Sequence, residues 1–183
     1  MTAQIPDIVR YKGKDYDLAG IGADGLFESD DYGMRAWGED DECNRGYVAS
    51  YVVVGQRLLL EELRINLEDD KPSIHGAVAS AGDDRFNSHY RNVHIPIQYC
   101  GGLLIATGFD EELNSHKGFH AAWKYDTVHE LKFDRGRLTS ANDVSELIRG
   151  FRAEMRGRPL QPKATLKERA SWADQCYSRK YKL

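Results

Sequence analysis

The segment from Tyr47 to Leu67 constrains the fold more than any other part of the chain. Tyr47, Ala49, Tyr51 and Val53 alternate with Val48, Ser50, Val52 and Val54, a β-branched and aromatic run of period two. It ends at Gly55-Gln56, after which Leu58 to Leu67 runs back. Two such runs joined by two residues form an antiparallel hairpin, of the type that puts Gly first. The return run, LLLEELRINL, also fits a helical pattern, and its assignment as a strand rests on its neighbour.

More strands follow from the same signals. Ile8 to Leu18 forms a hairpin turning at Lys12-Gly13-Lys14. Residues 20–46 make a long acidic connection carrying Phe27, Tyr32 and Trp37, and long ordered loops of this kind are often functional. Ser73 to Ser80 reads as a short strand and Ala81 to Asn92 as a polar loop. His94 to Tyr99 and Leu103 to Thr107 flank Gly101-Gly102 as a strand pair, with Pro96 at an edge or bulge because it cannot donate to a ladder. Val128 to Phe133 and Arg137 to Ala141 flank a turn at Asp134-Arg135-Gly136.

The end of the chain is helical. Asp143 and Glu146 form a capping box before Leu147, Ile148, Phe151 and Met155, and Gly157 and Pro159 stop that helix. Thr165 and Glu168 repeat the signature before Leu166, Ala170, Trp172, Ala173 and Tyr177. The expected fold class is therefore α+β: an antiparallel, twisted sheet or partial β-barrel with two C-terminal helices. At 183 residues a single domain is expected, with 1–142 the mainly β body and 143–183 a helical C-terminal segment.

Composition sets the function classes. With 41% hydrophobic and 30% charged residues the chain is globular rather than disordered. No stretch approaches 18 apolar residues and the N-terminus shows no signal peptide, so no membrane association is expected. Cys43, Cys100 and Cys176 are far apart, which suits a reducing cytoplasm rather than a disulfide framework. The net charge of −4 hides a split of −11 over residues 1–148 and +7 over 149–183. The tail could dock on the body, or either face could engage a charged partner. An acidic body suits a basic protein partner, such as a toxin that it sequesters. The basic tail lacks a recognition motif, so nucleic acid is not the expected partner.

One cluster could carry chemistry. HKGFH places His116 and His120 four apart, with His129 nine residues on, and a helix would let them share a divalent metal with Asp126 or Glu130. Gly118 disfavours that helix, and on a strand the pair would stand about 13 Å apart. His129 and Glu130 fall on opposite faces of a strand and make poor catalytic partners. No nucleophile elbow, phosphate loop or dinucleotide motif is present. Arg45, within Asn44-Arg45-Gly46-Tyr47, either pins the acidic loop or contacts a ligand.

CNRGYVASYVV with the LLLEEL hairpin, and YCGGLLIATGF running on through HKGFHAAWKYDTVHELKF, resemble an uncharacterised bacterial family of β-rich proteins. The resemblance implies a shared fold and a bacterial, cytoplasmic setting; it implies no activity, cofactor or catalytic residue. It marks Arg45, Gly46, Tyr47, His116, Phe119, His120, Trp123, Lys124 and Tyr125 for inspection. The function expected is that of a non-catalytic binding protein with a charged protein partner or self-association. The alternative is a small metal-dependent hydrolase built on His116, His120 and a carboxylate, with Trp123 and Tyr125 lining its pocket.

Overall fold

The computed structural model describes residues 3–38, 41–68, 70–113 and 118–156. They build one ten-stranded mixed sheet with a single helix and short 3-10 turns. The strands are β1 (Ile8–Tyr11), β2 (Lys14–Ile21), β3 (Tyr47–Val54), β4 (Arg57–Ile65), β5 (Ser80–Ala81), β6 (Ser88–Tyr90), β7 (Ile95–Pro96), β8 (Gly101–Phe109), β9 (Tyr125–Asp134) and β10 (Arg137–Asp143). Helix α1 spans Ser145–Arg156. The second expected helix, from Thr165, lies outside the described residues. Among those residues no helix is long and apolar enough to cross a membrane.

Three two-residue hairpins supply the framework: β1–β2, β3–β4 and β9–β10. Both turn residues have positive φ in each: Lys12 and Gly13, Gly55 and Gln56, Arg135 and Gly136. These are type I′ turns, whose twist matches that of the flanking strands. The Gly-first turn expected at Gly55-Gln56 is thereby corrected, because Gln56 too takes the left-handed conformation, at φ 65°. A left-handed Gln costs on the order of 1–2 kcal/mol, and the long ladder it joins outweighs that.

The strand order is β10-β9-β8-β2-β1-β3-β4-β6-β5, with β7 also on β4. An all-antiparallel sheet was expected; β1 and β3 instead pair in parallel, through Ile8↔Ser50, Val9↔Tyr51 and Arg10↔Val52. The pairing expected between the two sides of Gly101-Gly102 does not form either. Ile95–Pro96 joins β4, while β8 lies between β2 and β9. The stretch 73–80 forms only the Ile74↔Ala77 bridge before β5, and the expected polar loop 81–92 contains β6. Finally, Arg137 of β10 pairs with Arg57 of β4, and Leu58 donates its N–H to Gly136 at 2.9 Å, so the strands run round in a ring.

The ring's interior is the main core. Val9, Leu18, Tyr51, Leu60, Leu63, Ile105 and Leu131 are all buried there. The long connection closes it: Phe27 and Met34 are buried in the same cluster, and Phe27 packs on Tyr32 and edge-on to Tyr47. A second cluster lies on the opposite face of β8 and β9, where Ala106 and Val128 meet Ile148 of α1. Burial on both faces explains why Leu103 to Ala106 is continuously apolar rather than alternating. Asp143 caps α1 by accepting the Ser145 N–H at 2.9 Å, as the capping signature requires, whereas Glu146 turns outward to Arg149.

The leucine-rich return strand holds an irregularity. Ser50 pairs with Glu62 but Tyr51 pairs with Leu60, leaving Glu61 as the extra residue of a β-bulge. Inward positions therefore change phase, from Leu58 and Leu60 to Leu63 and Ile65, all buried. That jump of three is what gives LLLEEL its helical look.

The two hairpins β1–β2 and β3–β4 are locked together by a buried ion pair. Arg45 meets Asp7 through both guanidinium nitrogens at 2.7 Å each, and Asp7 also accepts the Ala49 N–H at 2.8 Å. The Asp7 carbonyl takes the Leu18 N–H at 2.8 Å. Asp7→Ala is expected to cost about 3–5 kcal/mol, because it leaves Arg45 buried without its counter-charge. Urea denaturation measures this, and an Asp7→Ala, Arg45→Met double variant should recover part of the loss.

Candidate functional site

The outer face of the sheet carries a cleft of about 380 Å³ where β1, β3, β4 and β6 lie side by side. Its depth follows from side-chain size. Ile8, Ser50 and Val52 form the floor, flanked by long charged side chains on β1, β4 and β6. Alternation sends Val9 and Tyr11 inward, so Arg10 faces out and makes a two-pronged pair with Asp15 of β2 at 2.7 and 3.2 Å. The pair holds Asp15 below the ordinary carboxylate range, chiefly through the Arg10 hydrogen bond. At the other side the bulge brings both Glu61 and Glu62 to the cleft.

Among the described residues neither glutamate forms an ion pair with an arginine. Glu62 takes His89 Nε2 at 3.2 Å and Glu61 takes His94 Nδ1 at 3.0 Å. A histidine forms an ion pair only when protonated, whereas an arginine is always charged. Arg64 reaches Asp83 loosely at 3.9 Å and stacks over Phe86. Arg91 donates to Ser80 Oγ at 3.0 Å, and no carboxylate among the described residues pairs with it. The loop wall is fixed at Gly82, where a Cβ would lie 1.6 Å from the Phe86 carbonyl oxygen.

The residues singled out by the sequence lie elsewhere. Arg45, Tyr47 and Phe119 do come together, the guanidinium lying 4.8 Å from the Tyr47 ring and 5.5 Å from the Phe119 ring. Arg45 pins the segment before β1 through Asp7, while Arg85 meets Glu42 of the acidic connection at 2.7 Å. Gly46 has no room for a side chain beside the Trp37 backbone. The Tyr47 hydroxyl donates to Glu28 at 2.9 Å, and burial, then Glu28, pushes its pKa up.

A second group surrounds the start of β9. His120 stacks on Phe109 with ring centres 4.2 Å apart, and Phe109 meets Tyr125 edge-on. Tyr125 donates to Asp17 at 3.0 Å; burial raises the pKa of both, and for Asp17 the hydrogen bond from Tyr125 acts the other way. Lys124 is buried, its ammonium 5.6 Å from the Trp123 ring. Arg152 of α1 clasps this turn, donating to the carbonyls of Trp123, at 2.8 Å, and Tyr125. His116 lies outside the described residues, and His129 packs edge-on to Tyr11 and Tyr16 instead of joining His120. Among the described residues no three His, Cys, Asp or Glu side chains are grouped to hold a metal ion.

No family model, curated protein or solved structure matches the chain. The cleft was not anticipated from the sequence. Its one signal was the adjacent Glu61-Glu62 inside a leucine-rich strand, a break in alternation that marks a bulge.

His120 has a measurable consequence. Burial, with Lys124 second, lowers its pKa to about 4, and its Nδ1 is buried without a hydrogen-bond partner among the described residues. The unfolded chain then binds the proton first, so this contribution is present above the ordinary histidine pKa and is lost as pH falls towards 4. Thermal melts at pH 7 and 4.5 should show a smaller loss of Tm for His120→Phe than for the parent chain.

Proposed function

We propose that the chain is a non-catalytic binding protein that engages a cationic segment of a protein partner through the outer cleft. The carrying observation is the charge arrangement there. Arg10–Asp15 and Arg64–Asp83 offset one another, which leaves Glu61 and Glu62 against Arg91. The cleft is thus net acidic at its bulge, on a body whose first 148 residues carry −11. Such a field attracts and orients a basic partner, and its influence weakens with salt. The reading keeps the bacterial, cytoplasmic setting suggested by the sequence. It needs no reaction: the cleft carries charges fixed by strand register, which suits recognition.

Fluorescence anisotropy with labelled hexalysine and hexaglutamate tests it. Hexalysine should bind, and Glu61→Gln, Glu62→Gln should weaken it at least tenfold. Asp30→Asn, Asp31→Asn, with the same loss of charge in the Ser29–Tyr32 turn, should change it less than threefold. Equal losses in the two double variants, or preferential binding of hexaglutamate, would overturn the assignment.

A further inference from the structure

We infer that the cleft recognises a basic residue bearing a free α-carboxylate, as at the C-terminus of a polypeptide. This rests on the cleft's assignment as a cation site and adds the group that Arg91 takes. Arg91 directly follows β6, whose pairing with β4 ends at Leu63↔Tyr90, and it lines the cleft together with Glu62. Yet the two side chains do not pair: Glu62 turns to His89 and Arg91 to the Ser80 hydroxyl. Opposite charges that line one cleft without pairing with each other are matched by a ligand that carries both.

The anion is a carboxylate for two reasons. A guanidinium fork fits a carboxylate in two-pronged fashion. A phosphate dianion would also set its extra charge against Glu61 and Glu62. The cation is an ammonium or guanidinium directed to those same glutamates. The volume of about 380 Å³ sits at the small end of ligand sites, so both groups belong to one residue or to neighbours in sequence. The Ser50 hydroxyl, half-buried on the floor and without a hydrogen-bond partner among the described residues, offers one further polar contact.

Calorimetric titration of the full chain tests this with three probes: the peptide Gly-Gly-Ser-Gly-Lys, the same peptide with an amidated C-terminus, and free lysine. The free-acid peptide should bind at least tenfold more tightly than the amide. Arg91→Gln, a change at an exposed position, should abolish that difference. Arg149→Gln, at an arginine of α1 outside the cleft, should preserve it. Free lysine binding as tightly as the peptide would assign the site to the amino acid itself, and much weaker binding to a polypeptide end; either result supports the carboxylate anchor. Equal affinity of acid and amide, with hexalysine still dependent on Glu61 and Glu62, would overturn the anchor alone. Failure of hexalysine as well would overturn the cation site beneath it.

Discussion

A single buried carboxylate, Asp7, holds together parts of the chain that are far apart in sequence. It sits just before β1, faces Arg45 through two hydrogen bonds, accepts the Ala49 N–H of β3, and through its carbonyl receives Leu18 of β2. Those contacts secure the parallel pairing of β1 with β3, the junction at which two local hairpins become one sheet. A parallel neighbour cannot be made by a tight turn, so it needs a long crossover. Residues 22–46 are that crossover, and they also seal the core with Phe27 and Met34. Arg45 is held by Asp7 on one side and by the faces of Tyr47 and Phe119 on the other. Its Nε is buried without a hydrogen-bond partner among the described residues, which shows how fully the guanidinium is enclosed.

The cleft is a product of that junction. Its floor takes Ile8 from β1 and Ser50 and Val52 from β3, so it exists only where the two hairpins meet. The bulge at Glu61 then supplies its charge. One extra residue shifts β4 so that leucines and Ile65 stay inside while two adjacent glutamates reach the outer side. Fully burying a leucine is worth roughly 1.5–3 kcal/mol, whereas an exposed ion pair is worth about 0–1 kcal/mol. Packing of the inner face thus decides the phase, and the carboxylates take the positions left to them.

Much of the framework was legible because hairpins and caps are local. Alternation from Tyr47 to Val54, the glycines of the tight turns and the Asp143 cap need only neighbours in sequence. The candidate site was not legible in that way. Histidine spacing drew attention to His116, His120 and His129, but His120 rests on Phe109 while His129 rests on Tyr11 and Tyr16. Arg45 and Tyr47 were chosen for their place before a core strand, and they pack against Asp7, Glu28 and Phe119. Arg10, Arg64, His89 and Arg91 looked like ordinary surface charges, since nothing local shows that strands distant in sequence bring them round one hollow.

The amino-acid sequence by itself determined the hairpins β1–β2, β3–β4 and β9–β10, where they turn and where α1 begins, because side-chain period, left-handed turn positions and capping hydrogen bonds act within a few residues. Only the tertiary structure decided the parallel β1–β3 pairing, the ring closed by β10 on β4, and the meeting of Glu61, Glu62 and Arg91 at one cleft. These depend on which distant strand offers a matching edge and on a shift of one residue in register, and such a shift moves every later side chain to the opposite face.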